Sequence, residues 1–318
     1  MFICPVGVCI YMGEAASTYN PEEVTDDKVL RVSKSSMIQY NMCPRQYWWN
    51  KIALPDLRIP SSDAAIRGSA IHQVMEDALR DISDDTKLAL SHGGLPASSW
   101  PDDEWEKTFH AHAIAQDVEL DDGVDALQQI LSSIIEDWGE LEIVELEDKH
   151  EIPYTVEWTH EGGTGRTDCV LVGMVDGLFR MPNGNLVVVE LKTGSANNGK
   201  LSRTRKELCY YRKLLMLKGY DAPTHFLTIF PDAEDPRFLT QMMNKKKTEI
   251  YMGETKGLAV LEPVGTRSIN AMENTLSNSV KGIISQEWPI KWNEYFCTQW
   301  CEFHLSCNEE LLGVNDDD

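Results

Sequence analysis

"MVDGLFRMPNGNLVVVELKTG", residues 174–194, places two largely apolar runs on either side of a Pro-Asn-Gly turn. Asp176 lies in the first run; Glu190 lies in the second, with Lys192 two positions on. Runs of Val, Leu and Phe bounded by Pro and Gly read as a β-hairpin, and its register decides what the acids do. A two-residue Asn183-Gly184 loop would set Asp176 against Leu191 and send the two acids to opposite faces. A three-residue Pro182-Asn183-Gly184 loop puts Pro at the second position of a type I turn and Gly at the left-handed position. Asp176 then sits opposite Glu190, with Cβ atoms roughly 5 Å apart, and Lys192 emerges on the same face. Two carboxylates so close repel unless a cation or a proton intervenes. A hard divalent ion such as Mg²⁺ or Mn²⁺ answers both charges with the oxygen ligands it prefers. A solvated strand face of Asp, Glu and Lys is the plainer alternative, because antiparallel sheets often keep one face in water.

Outward from the hairpin, "IPYTVEW" and "TDCVLVGMVDGLFR" alternate with period two from about residue 151. "RTRKELCYYRKLLMLKG" reads as a helix capped by Gly219. "HFLTIFP" and "GLAVLEPV" read as short strands and 266–286 as a helix. Upstream, Ile71, Val74, Met75, Ala78, Leu79 and Ile82 recur at helical spacing in "RGSAIHQVMEDALRDI". Residues 33–53 begin with a Ser-rich helix start and carry Tyr40, Tyr47, Trp48 and Trp49. Strands framed by helices make the expected fold α/β, a mixed central sheet flanked by helices. The expected division is an N-terminal tail (1–30), N-terminal helices (31–83), a helical insertion (84–150), a core of sheet and helices (151–290) and a C-terminal cysteine cluster with an acidic tail (291–318).

The chain has 318 residues and 42% hydrophobic content, enough for a sizeable core. With 29 basic against 51 acidic residues, net −22, its whole surface cannot grip a polyanion. Any nucleic-acid contact must be local, and two basic runs offer one: Lys200, Arg203, Arg205 and Lys206, then Lys245, Lys246 and Lys247. No apolar run approaches the ~20 residues of a membrane span, so no membrane partner is expected. "MFICPVGVCIYM" lacks the basic flank of a signal peptide. Eight cysteines without export signals point to a reducing, cytoplasmic setting where thiols serve metals or cores.

The residues now on the page resemble the PD-(D/E)xK nucleases, particularly the RecB-like exonuclease branch. "VDG" followed by "VVVELKTG" is similar to that family's Asp and Glu-x-Lys core, and "GSAIHQVME" supplies Gly68, His72 and Glu76 of a Gly-x-x-x-His-x-x-x-Glu pattern. The branch's Gln-x-x-x-Tyr motif is met by Tyr211, with Glu207 in place of Gln. An iron–sulfur subset, the CRISPR-associated and AddB-type nucleases, carries one Cys early and three late. Cys43, Cys297, Cys301 and Cys307 match that layout, with a late spacing of three then five instead of two then five.

The resemblance implies a metal-dependent DNA exonuclease acting on single strands or duplex ends in recombination, repair or CRISPR-type processing. His72, Asp176, Glu190 and the Leu191 carbonyl would hold Mg²⁺ or Mn²⁺. Lys192 would orient the attacking water or stabilise the phosphorane. Glu76 would hold His72 in one tautomer, and Tyr211 would complete the catalytic set. The four cysteines would ligate a 4Fe-4S cluster, closing a loop of roughly 250 residues, with zinc and His304 as the alternative. Implied partners are DNA and helicase, recombination or CRISPR proteins. Two rival readings remain: a catalytically lapsed DNA-end-binding module, and a zinc-stabilised interaction protein.

Overall fold

The computed structural model describes residues 2–3, 10–11, 29–57, 61–89, 94–96, 102–120, 122–160 and 163–312. The expected 1–30 tail lies almost wholly outside the described residues, as do Cys4 and Cys9. In chain order the elements are β1 (Phe2–Ile3), β2 (Ile10–Tyr11), β3 (Leu30–Ser33), α1 (Lys34–Met42), α2 (Pro44–Trp48) and a π-helical turn, Trp49–Ala53. Next come α3 (Asp63–Ala89), β4 (Gly94–Pro96), α4 (Asp102–Ala115), α5 (Val124–Trp138), β5 (Glu140–His160), β6 (Gly163–Arg180), β7 (Leu186–Leu191) and α6 (Asn198–Lys218). The chain continues through β8 (His225–Phe230), α7 (Pro236–Met243), β9 (Glu249–Met252), β10 (Leu258–Pro263), α8 (Thr266–Ile284), α9 (Glu294–Trp300) and α10 (His304–Leu312). Among the described residues no helix is long and apolar enough to cross a membrane.

The main sheet runs β4-β5-β6-β7-β8-β10-β9, with β3 paired to β6. β6 and β7 are antiparallel, whereas β7 and β8 are parallel and joined through α6, the crossover that a parallel pair requires. The sheet is therefore mixed and the fold α/β, as the sequence implies. One stretch departs from expectation: helix was expected up to residue 150, yet β5 begins at Glu140. "ELEIVELE" satisfies both periods, and pairing with β4 at Leu141 decides for strand.

Two compact units emerge from the chain. The larger comprises Pro60–Ile152 and Val172–Met272. At its centre β7 is buried along its whole length. Val187, Val189 and Leu191 join Leu227, Ile229, Ala259 and Leu261 under α3, α4 and α5. Each of the Val, Leu and Ile side chains among them contributes about 1.5–3 kcal/mol on burial. α6 starts where the Asn197 side chain accepts from Lys200 N at 2.9 Å and ends at Gly219, whose φ of +109° makes it the expected C-terminal cap.

The smaller unit comprises Met1–Ile59, Pro153–Leu171 and Glu273–Asp318. Ser33 and Ser36 cap α1 reciprocally. Tyr40 Oη donates to Glu287 O at 2.7 Å, Lys291 Nζ donates to Asn41 O at 2.8 Å, and Tyr47 stacks on Trp288. These bonds fix early residues of the chain against late ones.

Candidate active site

The hairpin has the three-residue loop. Gly177 pairs with Val189, and the register runs to Arg180 opposite Leu186. Met181 N donates to Asn185 O at 2.9 Å, Gly184 N donates to Met181 O at 2.8 Å, and Gly184 takes φ +83°. One step beyond Gly177–Val189, Asp176 stands across from Glu190. Asp176 Oδ2 accepts from Leu191 N at 2.8 Å.

α3 brings His72 to these strands. Its Nε2 is 3.1 Å from Leu191 O, and its Nδ1 is 3.4 Å from Glu147 Oε1 and 3.5 Å from Asp176 Oδ2. Gly68, one turn earlier, explains the close approach: a Cβ there would stand 2.8 Å from Thr193 Oγ1. Arg67 binds both oxygens of Asp232 at 2.8 Å, and Asp232 accepts from Gly194 N at 2.6 Å, so the turn after Lys192 is tied to the start of α3. Gly68→Val should therefore lift α3, at a cost of roughly 1–3 kcal/mol, and weaken Mn²⁺ binding, measured by thermal unfolding with and without Mn²⁺. Unchanged stability and unchanged Mn²⁺ affinity would contradict this account of Gly68.

Glu147 is the site residue that sequence reasoning missed. One ligand atom each from His72, Glu147 and Asp176 lie within 4.8 Å of one another. Glu147 sits in β5 at φ +48°, a left-handed conformation rare for a residue of its type, and its side chain is only 9% exposed. The available signal was the alternation in "ELEIVELE", hidden by the helical reading. Glu76, expected to steady His72, is engaged elsewhere: its carboxylate meets Arg80 Nε at 3.0 Å and Gln73 at 3.2 Å. The carboxylates on the His72 ring are Glu147 and Asp176.

On the α6 side, Lys192 Nζ bonds to Glu190 Oε1 and, at 2.8 Å, to Glu207 Oε2. Tyr211 packs against Gly173, where an added Cβ would meet its ring at 3.1 Å. Burial raises the Tyr211 pKa, and the charges of Glu190, Asp176, Glu207 and Glu147 raise it further, so its hydroxyl stays protonated beside all four acids. Burial alone would lower the His72 pKa; the Glu147 bond and the charges of Asp176, Glu147 and Glu190 outweigh it and raise it. Four acids, Glu147, Asp176, Glu190 and Glu207, thus surround one ammonium, Lys192, and an imidazole that must be neutral to ligate a metal. A divalent cation offsets part of that formal excess of negative charge. Imidazole, carboxylates and a main-chain carbonyl converging in one place are donors that Mg²⁺ or Mn²⁺ accepts. His72, Asp176 and Leu191 of the expected set meet here, while Glu190 is held by Lys192.

The smaller unit holds a second constellation. Cys43, Cys297, Cys301 and Cys307 are all buried and none is in a disulfide. Burial, opposed by a Phe303 backbone hydrogen bond, pushes Cys301 up to about 12, with Glu302, Cys307 and Cys297 adding to the rise. Burial and then Cys43 push Cys307 up to about 11. Charge interactions connect Cys43 to Cys307 and both Cys307 and Cys297 to Cys301, and in the same unit Trp49 stacks on Phe303. His304 Nδ1 is 3.0 Å from Cys301 O. Thiolate is the donor type that a 4Fe-4S cluster or zinc takes, but among the described residues these cysteines do not gather into a group of three ligand atoms within 4.8 Å of one another, as His72, Glu147 and Asp176 do.

The basic runs are partly spent within the larger unit. Arg205 grips the buried Glu262 with Nε at 2.5 Å and Nη2 at 3.0 Å, and Lys245 reaches the same carboxylate at 2.7 Å. Lys200 Nζ donates to Thr193 O at 2.5 Å and to Ser195 O at 3.2 Å. Arg203, Lys206, Lys246 and Lys247 remain exposed.

The sequence model described as "PD-(D/E)XK nuclease superfamily" matches residues 31–308. No curated protein matches the chain. Among solved structures, the one described as "Crystal structure of SSO0001" aligns at 14% identity over 89% of this chain and 88% of that one, with a TM-score of 0.35.

Proposed function

Because the chain belongs to the PD-(D/E)XK nuclease superfamily, whose members are generally nucleases, we propose that it is a Mg²⁺- or Mn²⁺-dependent deoxyribonuclease of the RecB-like branch, cleaving single strands or duplex ends as an exonuclease. The observation that carries this reading is the meeting of His72, Glu147 and Asp176 beside Glu190 and Lys192.

His72, Glu147 and Asp176 would hold the cation, together with Glu190 or the Leu191 carbonyl. When bound, such an ion acts as a Lewis acid on the scissile phosphate and lowers the pKa of water. Asp176 is kept aimed into the site by Leu191 N. Lys192 brings an ammonium to the developing charge, in a position fixed by Glu190 and Glu207. Tyr211 offers a protonated hydroxyl beside the acids. The exposed Arg203 and Lys206 would carry the strand. Reversing both should weaken DNA binding and flatten its salt dependence; unchanged affinity and unchanged salt slope would remove them from the interface. Arg205 serves this test poorly, because its loss strips Glu262 of a partner.

Cys43, Cys297, Cys301 and Cys307 would hold the 4Fe-4S cluster. Anaerobically purified protein should absorb near ~400 nm and bleach on reduction; a colourless protein containing zinc would support the interaction-protein reading. The single decisive assay is cleavage of end-labelled single-stranded and duplex DNA with Mn²⁺, with chelator as control. Product that forms equally well in chelator would refute a metal-dependent nuclease.

A further inference from the structure

Lys192 stands between two acids of different kinds. Glu190 lies on β7, 1% exposed, opposite Asp176. Glu207 lies on α6, 9% exposed, and its Oε2 is 2.8 Å from the same Nζ. An ammonium has three donors, and two of them go to these carboxylates. α6 supplies the second of these acids, and Lys192 links it to Glu190.

Removing that charge has two consequences for a cation. The ammonium, shared with one acid fewer, leans more heavily on Glu190 and competes with the ion for its oxygens. The site also loses one of its four negative charges. Both effects disfavour a divalent cation. A phosphodiester responds in the opposite sense, because it meets one acid fewer and an ammonium less compensated.

We propose that Glu207 is a positioning residue that acts through Lys192 to divide the site's affinity between metal and phosphodiester: with Glu207 ionised the site favours the cation, and with a neutral side chain there it favours the DNA strand. This rests on the metal-site reading above. It differs from a packing role, since loss of packing weakens metal and DNA alike.

The test uses the full-length protein, purified anaerobically, as wild type, Glu207→Gln and Glu207→Ala, with Asp176→Asn as a site control. Mn²⁺ alone is titrated and free Mn²⁺ read by electron paramagnetic resonance. KM and kcat are then measured on a 5′-labelled single-stranded oligonucleotide at saturating Mn²⁺. Glu207→Gln keeps the shape and an acceptor oxygen, so it should fold as wild type does. Its Mn²⁺ Kd should rise about tenfold while KM for DNA falls, and Glu207→Ala should shift both in the same directions. Mn²⁺ and DNA affinities that are unchanged, or that both weaken, would overturn the proposal. Equal Mn²⁺ binding by wild type and Asp176→Asn would instead overturn the metal-site reading, and this proposal with it.

Discussion

Glu190→Ala and Lys192→Ala should each abolish Mn²⁺-dependent cleavage of end-labelled DNA, by a thousandfold or more in kcat, a size seen when a transition-state donor is removed (about 10²–10³) and exceeded here because the cation's surroundings change too. The two variants should differ in stability. In Glu190→Ala, Lys192 keeps Glu207 as a partner at 2.8 Å, so the partly buried ammonium is still compensated. In Lys192→Ala, Glu190 and Glu207 lose the cation they share, and breaking a buried pair by removing one partner costs roughly 3–5 kcal/mol. Mn²⁺ should restore part of that loss, because it binds the folded state. Cleavage by either variant at the wild-type rate would rule out this site.

The second large effect concerns the thiols. Cys301→Ser or Cys43→Ser should remove the absorption near ~400 nm and lower the unfolding midpoint of the whole chain, because metal binding free energy is folding free energy. Cys209→Ser provides the contrast. Cys209 is buried in α6 of the larger unit, which contains none of the four, so that variant should keep its colour. Retained absorption in Cys301→Ser would exclude it as a ligand.

Much of this was legible in the sequence because local chemistry fixes it. Pro182 and Gly184 choose a three-residue loop, and loop length alone sets whether Asp176 faces Glu190 or Leu191. Gly219 ends α6 because a left-handed residue is needed there. The spacing of Gly68 and His72 was readable, and the structure supplies its reason, the contact with Thr193. What was hidden depends on distant pairing. "ELEIVELE" fits helix and strand alike, so Glu147 surfaced only with β5. Helical spacing put Glu76 on the His72 face, yet Arg80, four residues on, draws it away. The basic run lost Arg205 and Lys245 to Glu262, which lies on a strand far along the chain.

The central claim, one divalent cation held by acids from neighbouring strands and a helix histidine, is tested most directly by anomalous scattering at the manganese edge from crystals soaked in Mn²⁺. A peak within bonding distance of His72, Asp176 and at least one of Glu147 and Glu190 is the predicted result. Manganese bound elsewhere, with these side chains ordered and bare, would contradict it.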